Sequence, residues 1–214
     1  TGHTGFKGSW LVSVLLKCGA KVVGYSKNDS KKKHYKKFVN FKKVENIYAN
    51  ILDKKKIHSS IKKHKPDIIF HLAAQALVSS SYDNPVNTFE TNVIGSINIM
   101  EATRFCSKIK SLVMITSDKC YYNKEIQRGY KEIDVLGGDD PYSASKAAAE
   151  MAFNSFRKSF FSKNKKIMYG LIGLIATAGL SFYTYTKYLL NWARNWLWSD
   201  ARSGFETFYH KEFD

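Results

Sequence analysis

Apolar residues in this chain come in short runs, and their spacing switches between a helical and an extended period. Trp10-Leu11-Val12-Ser13-Val14-Leu15-Leu16 follows a glycine-rich stretch and ends at Cys18-Gly19, which predicts an amphipathic helix that Gly19 terminates. Ala20-Lys21-Val22-Val23-Gly24-Tyr25 then reads as a short buried strand, and residues 44–49 as another. Residues 54–64 have the pattern of a polar helix. Pro66-Asp67-Ile68-Ile69-Phe70-His71-Leu72-Ala73-Ala74 has the pattern of a strand buried on both faces, with small residues at its exit. A long helix is expected over residues 82–105, and an apolar strand over Ser111-Leu112-Val113-Met114-Ile115-Thr116. An Ala-rich helix should start at Pro141, with Asp139 or Asp140 as its cap.

Strands alternating with helices in this way predict an α/β fold, a doubly wound parallel sheet with helices on both faces. Ligands of such sheets sit beyond the carboxyl ends of the strands. Residues 2–8, Ala73-Ala74, Ser117-Asp118-Lys119 and Tyr142 all fall at that edge. Gly2, Gly5 and Gly8 recur at three-residue spacing, which lets a backbone approach a pyrophosphate where a helix N-terminus offers its N–H groups. Tyr142 and Lys146 are four residues apart and share one helix face. A lysine cation near a phenol favours the phenolate, and would bring a base that normally titrates near pH ~10 towards neutrality. Such a base can take a proton from a sugar hydroxyl while a neighbouring cofactor accepts hydride. Ser26, Lys27, Asn28 and Asp29 follow the second element with no acidic residue directly at the strand end, which leaves NAD against NADP open.

Charge and composition narrow the classes. The chain has 214 residues and a net charge of +16, from 34 Lys+Arg against 18 Asp+Glu. The excess is densest between Lys27 and Lys65. A nucleic-acid or anionic-membrane footprint can look like this. Here the lysines are spread over several elements without a nucleic-acid-binding motif, so solvated faces are the preferred reading and no nucleic-acid partner is expected. Cys18, Cys106 and Cys120 lack metal-ligand spacing and read as reduced thiols of a cytoplasmic protein, with no metal site. The chain opens on the glycine loop without an initiator Met or the strand that should precede that loop. The expectation is a piece of a longer protein.

The motifs, taken in order, resemble the extended short-chain dehydrogenase/reductase superfamily. They are residues 1–8 (Thr-Gly-His-Thr-Gly-Phe-Lys-Gly), His71-Leu-Ala-Ala-Gln75, Thr91-Asn-Val-Ile-Gly95 and Tyr142 with Lys146. Gly5-Phe-Lys-Gly-Ser-Trp10, Thr116-Ser-Asp-Lys-Cys-Tyr121 and Leu136-Gly-Gly-Asp-Asp-Pro-Tyr142 narrow the resemblance to the CDP-glucose 4,6-dehydratases. Neighbouring dTDP-glucose enzymes usually have Thr-Asp-Glu where this chain has Ser117-Asp118-Lys119. The resemblance implies an NAD cofactor held by Gly2, Thr4, Gly5, Phe6, Gly8, Asn50, Ile51, Leu72, Ala73, Ala74, Asn92, Tyr142 and Lys146. Asn50 stands where the family usually has an acidic residue on the adenine amino group, a bond that asparagine can still accept. Ser79 and Ser80 replace arginines common in the family, which puts nearby anion contacts in doubt.

The same resemblance implies an internal redox cycle on CDP-glucose, giving the 4-keto-6-deoxy sugar. Tyr142, helped by Lys146 and Ser117, would deprotonate the 4-hydroxyl as C4 gives hydride to NAD. Lys119 would remove the C5 proton, Asp118 would protonate the departing 6-hydroxyl, and hydride would return to C6. His71 reads as a core histidine, Tyr121, Tyr122 and Tyr130 as packing residues, and Asn92 as either a helix- or cofactor-orienting residue or simple packing. A homodimer is implied for the intact family. Another nucleotide-sugar epimerase or dehydratase, or a non-catalytic NAD-binding or membrane-tethered module, remains as an alternative.

The resemblance ends near Lys166, dividing the chain into an NAD-binding domain over 1–166 and a divergent tail over 167–214. Residues 167–186 carry no charge and are bracketed by Lys165-Lys166 and Lys187, with Trp192, Trp196 and Trp198 beyond. Two readings stay open: a membrane span over 167–186, or a buried strand over 167–176 followed by an unrelated ending. Residues 191–214 could form an amphipathic helix. The substrate domain that the family would place here is not recognisable.

Overall fold

A computed structural model describes residues 1–27, 39, 41–125, 128–131, 133–161 and 168–172, all within one compact unit that spans Thr1–Leu174. Asn28, Asp29, most of the lysine-rich stretch after them and residues 173–214 lie outside the described residues.

The helices and strands follow the periodicity. Helix α1 (Phe6–Lys17) buries Leu11 and Val12 and ends at Gly19, whose φ is +77°. Strands β1 (Val22–Ser26) and β2 (Val44–Tyr48) pair in parallel, Val22 opposite Val44 and Ser26 opposite Tyr48. The polar helix α2 (Lys54–His64) starts where the Asp53 side chain accepts the Lys56 N–H at 2.9 Å, and buries only Ile57. Strand β3 (Ile68–His71) leads through Leu72–Leu77 to the segment expected as one long helix.

That segment is instead broken once, at Asn84, and continues beyond it as a helix with a π turn in its middle. Helix α3 (Val78–Asp83) stops at Asn84, α4 (Pro85–Phe89) restarts, a π-helical turn follows over Glu90–Ile94, and α5 (Gly95–Arg104) completes it. The break has a local cause: Pro85 lacks an N–H, and its ring disfavours a helical Asn84, which adopts φ −136° and ψ 64°.

Strand β4 (Ser111–Ile115) pairs in parallel with β3 on one side and with β5 (Met168–Ile172) on the other. Helix α6 (Pro141–Phe156) lies between β4 and β5 in the chain. Of the two candidate caps it uses Asp140, which accepts the Ser143 N–H at 3.0 Å and its hydroxyl at 2.6 Å. Strand β5 lies within residues 167–176, the stretch that one of the two readings takes as a strand. No helix among the described residues is long and apolar enough to cross a membrane.

Thr1 and Gly2 connect the two parallel groups, β1–β2 and β3–β4–β5. The Gly2 N–H donates to the Tyr25 carbonyl of β1 at 2.8 Å, the Thr1 amino group to the Phe70 carbonyl of β3 at 2.6 Å, and the Leu72 N–H to the Thr1 carbonyl at 3.3 Å. The glycine loop therefore enters at the centre of the sheet. Ile57, Ile69, Ile99, Met100, Leu112, Met114 and Phe153 form the main core between sheet and helices. A smaller cluster, Val12, Val22, Val39 and Val44, holds α1 against β1 and β2. Each fully buried aliphatic side chain contributes about 1.5–3 kcal/mol. The architecture is the Rossmann-like, doubly wound α/β fold that the alternation predicts.

Candidate active site

The glycine loop leaves no room for side chains at Gly2 and Gly8. Gly2 has φ +69°, and a Cβ there would stand 2.7 Å from the Ala73 nitrogen. A Cβ on Gly8 would collide with the Gly2 carbonyl oxygen and come within 2.8 Å of the His3 Cα. The chain thus folds back tightly on itself before α1. Gly5, the N-cap of α1, donates its N–H to the Gly2 carbonyl at 3.0 Å and has no side chain with which to cap the first turn. A bare backbone curve running into a helix N-terminus suits a diphosphate, whose charge the helix dipole favours.

The other residues expected around a dinucleotide line the same strand ends. Thr4 is buried, and its hydroxyl lies 3.0 Å from that of Ser26, tying the loop to the end of β1. Phe6 is exposed at the start of α1. Asn50 is exposed after β2; its carbonyl accepts the Tyr25 hydroxyl at 2.9 Å and its Oδ1 accepts the Leu52 N–H at 3.1 Å. Ile51 is buried against Gly95. Leu72, Ala73 and Ala74 are half-buried at the exit of β3, and the Ala73 N–H donates to the Thr1 hydroxyl at 3.2 Å.

Asn92 sits in the π turn, fully buried, and its amide is committed to protein. Its Oδ1 accepts the Gln75 N–H at 2.8 Å, while Nδ2 donates to the Gln75 carbonyl at 3.1 Å and to the Ser145 hydroxyl at 2.8 Å. It joins the exit of β3 to α6. His71 behaves as a core histidine: Nδ1 lies 2.8 Å from the Thr1 hydroxyl and Nε2 3.1 Å from that of Ser96. Burial holds its pKa well below the usual histidine value, with smaller pushes from the chain terminus and Lys146. Tyr121 stacks on Tyr130 with ring centroids 5.3 Å apart.

The exit of β4 meets the start of α6. Ser117 caps a 3₁₀ turn over Asp118–Cys120, and its hydroxyl donates to Asp118 Oδ1 at 3.0 Å. It also acts on the Tyr142 phenol, favouring its ionised form. Asp118 is half-buried and Lys119 exposed. Tyr142 and Lys146 are both buried on α6, with the Lys146 Nζ 5.8 Å from the centroid of the Tyr142 ring.

The electrostatics correct one expectation. The four-residue spacing predicts that Lys146 pulls the Tyr142 phenol towards neutrality; instead the phenol pKa is raised. Burial is the largest cause, and Asp118, Asp140 and Cys120 add to it against an opposite effect of Ser117. Lys146 is itself pulled down from 10.5 to about 8, by burial first and by Lys7 second. A lysine that holds its proton less firmly exerts less pull on a neighbouring phenol.

Two participants escape the sequence reading. Lys7, the second residue of α1, acts electrostatically on Lys146 and is itself acted on by Asp118. Glu150 is buried one turn beyond Lys146 and takes hydrogen bonds from Thr116 and Cys120. The spacing of Tyr142, Lys146 and Glu150, four residues each, is the available signal for Glu150. Among the described residues no cluster of His, Cys, Asp and Glu is arranged to hold a metal.

Comparison with known proteins gives a match over residues 1–166 to the family model described as GDP-mannose 4,6 dehydratase. The chain belongs to this family. It is 45% identical over 163 residues to a CDP-glucose 4,6-dehydratase of Salmonella typhimurium, covering 76% of this chain and 45% of that protein. It is 30% identical over 216 residues to a CDP-paratose 2-epimerase of Salmonella typhi, covering 90% of this chain and 61% of that one. Among solved structures, a UDP-glucose 4-epimerase of Thermus thermophilus, in complex with NAD, superposes with a TM-score of 0.68 at 26% identity. The match covers 80% of this chain and 52% of that one. The chain spans about half the length of the curated relatives it matches.

Proposed function

We propose that this chain carries the NAD-binding part of a nucleotide-sugar 4,6-dehydratase, a hydro-lyase that converts CDP-glucose to CDP-4-keto-6-deoxyglucose. The observation that carries the reading is the meeting of the Ser117–Lys119 turn with the start of α6: Asp118 and Ser117 both act on the Tyr142 phenol, and Cys120 of the turn donates to Glu150 on the helix that carries Tyr142 and Lys146. It couples a proton acceptor on one element to an acid on another at the carboxyl edge of the sheet. The 45% identity to a CDP-glucose 4,6-dehydratase supports the choice of sugar nucleotide.

NAD fits the bare glycine curve and the N-terminus of α1, with Asn50, Ile51 and Leu72–Ala74 along the strand ends, and when bound it supplies the hydride acceptor and donor. Tyr142, in its phenolate form, takes the proton of the sugar 4-hydroxyl, with Ser117 beside it favouring that form. The 4-ketone that results acidifies the C5 proton, which Lys119 removes. Asp118 protonates the departing 6-hydroxyl, so one water leaves. Lys146 orients against the phenol and holds a positive charge beside it below pH ~8. Asn92 acts through position, fixing α6 against the exit of β3.

A homodimer follows from the same reading. Pro85, Val86, Phe89, Val93, Ile94 and Ala148 line an apolar groove on the face of α4, the π turn and α6. A second copy would cover it. The free thiols Cys18, Cys106 and Cys120 support a cytoplasmic location.

The test incubates the protein with NAD and CDP-glucose, and with UDP-glucose in parallel, and follows sugar-nucleotide mass. The expected product is lighter by one water, forms with CDP-glucose, and disappears in Tyr142→Phe and Asp118→Asn. A product of unchanged mass but altered configuration would replace dehydration with epimerisation. NAD binding without any product would leave this chain as a cofactor-binding module.

A further inference from the structure

Glu150 takes no part in the chemistry proposed above, yet it is placed to organise it. One of its oxygens, Oε1, accepts the Thr116 hydroxyl at 2.6 Å and the Cys120 thiol at 3.2 Å. Thr116 and Cys120 are both buried, and they flank Ser117-Asp118-Lys119 on either side. A single carboxylate oxygen therefore grips the turn at both ends. The helix that carries this oxygen also carries Tyr142 and Lys146, two turns and one turn away on the same face. Burying a carboxylate is costly, and in an Ala-rich helix an apolar side chain at this position would be the cheaper way to fill the core.

We propose that Glu150 is a positioning residue, whose Oε1 holds the Ser117–Lys119 turn in register with Tyr142 and Lys146. The role of that turn rests on the dehydratase reading, whereas the clamp itself does not. Among the described residues, the Glu150 carboxylate makes the hydrogen bonds between α6 and the exit of β4. A turn free to drift by an ångström would misplace the acid and the base relative to the phenol.

Glu150 has a second handle on the site through charge. Lys146 faces Lys7 from α1, Cys120 from the turn, His71 from β3, and Tyr142 and Glu150 on its own helix. Burial and Lys7 favour its neutral form, while Cys120 and Glu150 favour its ammonium.

Three variants separate these contributions. Glu150→Gln keeps an oxygen acceptor and loses the charge, Glu150→Leu loses both, and Thr116→Val loses one donor and keeps the charge. Turnover of CDP-glucose with NAD is expected to fall about 100-fold in Glu150→Leu with KM changed less than about threefold, and about tenfold or less in Glu150→Gln. The alkaline limb of the pH profile should move to lower pH in Glu150→Gln and stay in place in Thr116→Val. In the ligand-free protein, ¹³C NMR of labelled lysine and tyrosine gives a readout that needs no activity. The Lys146 midpoint should fall in Glu150→Gln and Glu150→Leu but not in Thr116→Val, and the Tyr142 ring resonance should move in Glu150→Leu and Thr116→Val. If the parent yields no product, the dehydratase reading fails and these resonances still decide the clamp. Unmoved Lys146 and Tyr142 resonances, or turnover lost only in proportion to unfolded protein, would overturn it.

Discussion

Replacing Lys146 with methionine should make the ligand-free protein more stable at neutral pH while removing its function. The ammonium is buried on α6, and its pKa is pulled from 10.5 to about 8, chiefly by burial. An unfolded chain keeps the proton until about pH 10.5, so between pH 8 and 10.5 the unfolded state binds more protons than the folded one. Stability therefore rises with pH through that window, and the penalty is fully present below pH ~8. At about 1.4 kcal/mol per decade, the penalty at pH 7 is roughly 3 kcal/mol, falling to about 1 kcal/mol by pH 10. Methionine has similar length and an apolar body, so it fills the site without the charge. Urea unfolding of parent and Lys146→Met, at pH 7 and at pH 10, measures the difference directly. The variant should be the more stable of the two at pH 7, with the gap narrowing towards pH 10. A variant less stable than the parent at pH 7, or a gap independent of pH, would refute the assignment of a buried and strained ammonium.

Gly8→Ala should abolish dinucleotide binding, followed by quenching of protein fluorescence, because its Cβ would strike the Gly2 carbonyl that shapes the loop. An affinity within about threefold of the parent would show that the loop yields. Asn92→Ala strips partners from the Gln75 N–H, the Gln75 carbonyl and the Ser145 hydroxyl. The expected loss is about 2–4 kcal/mol in urea unfolding, and less than about 1 kcal/mol would mean that water replaces the amide. Ser117→Ala removes the side chain that lowers the Tyr142 pKa, so the phenol should titrate at higher pH still. A ¹³C-tyrosine titration reads that shift, and a downward move would contradict it.

The strands and the polar helix are legible because burial writes its period into the sequence. Ile68, Ile69 and Leu112 sit in uninterrupted apolar runs, and Lys54–His64 has almost no apolar face. The helix over 82–105 reads as continuous because apolar spacing does not register a broken hydrogen-bond ladder. Pro85 marks the break locally, but nothing in the pattern marks the π turn. Tyr142 and Lys146 can be placed on one face from spacing alone. The direction of the phenol pKa cannot, since it depends on how deeply α6 is buried and on Asp118 and Asp140 arriving beside it. Glu150 escapes for a related reason: its partners Thr116 and Cys120 lie 34 and 30 residues away in the chain. Residues 173–186 and the tail beyond them lie outside the described residues.

The π turn at Glu90–Ile94 makes this stretch intolerant of changes in length. A π turn holds one residue more than an α turn, so the helix beyond it is rotated by about 100° relative to a regular continuation. On one side of that offset Thr88 bonds to Gln75, and within it Asn92 reaches Ser145. On the other side Ile99 and Met100 face the core. Deleting a single residue here would restore the regular helical phase, and these contacts could no longer all be made at once. Point substitutions elsewhere cannot restore a lost phase; only a compensating insertion in the same helix can. In a library of insertions and deletions, this segment should therefore tolerate paired changes and reject single ones.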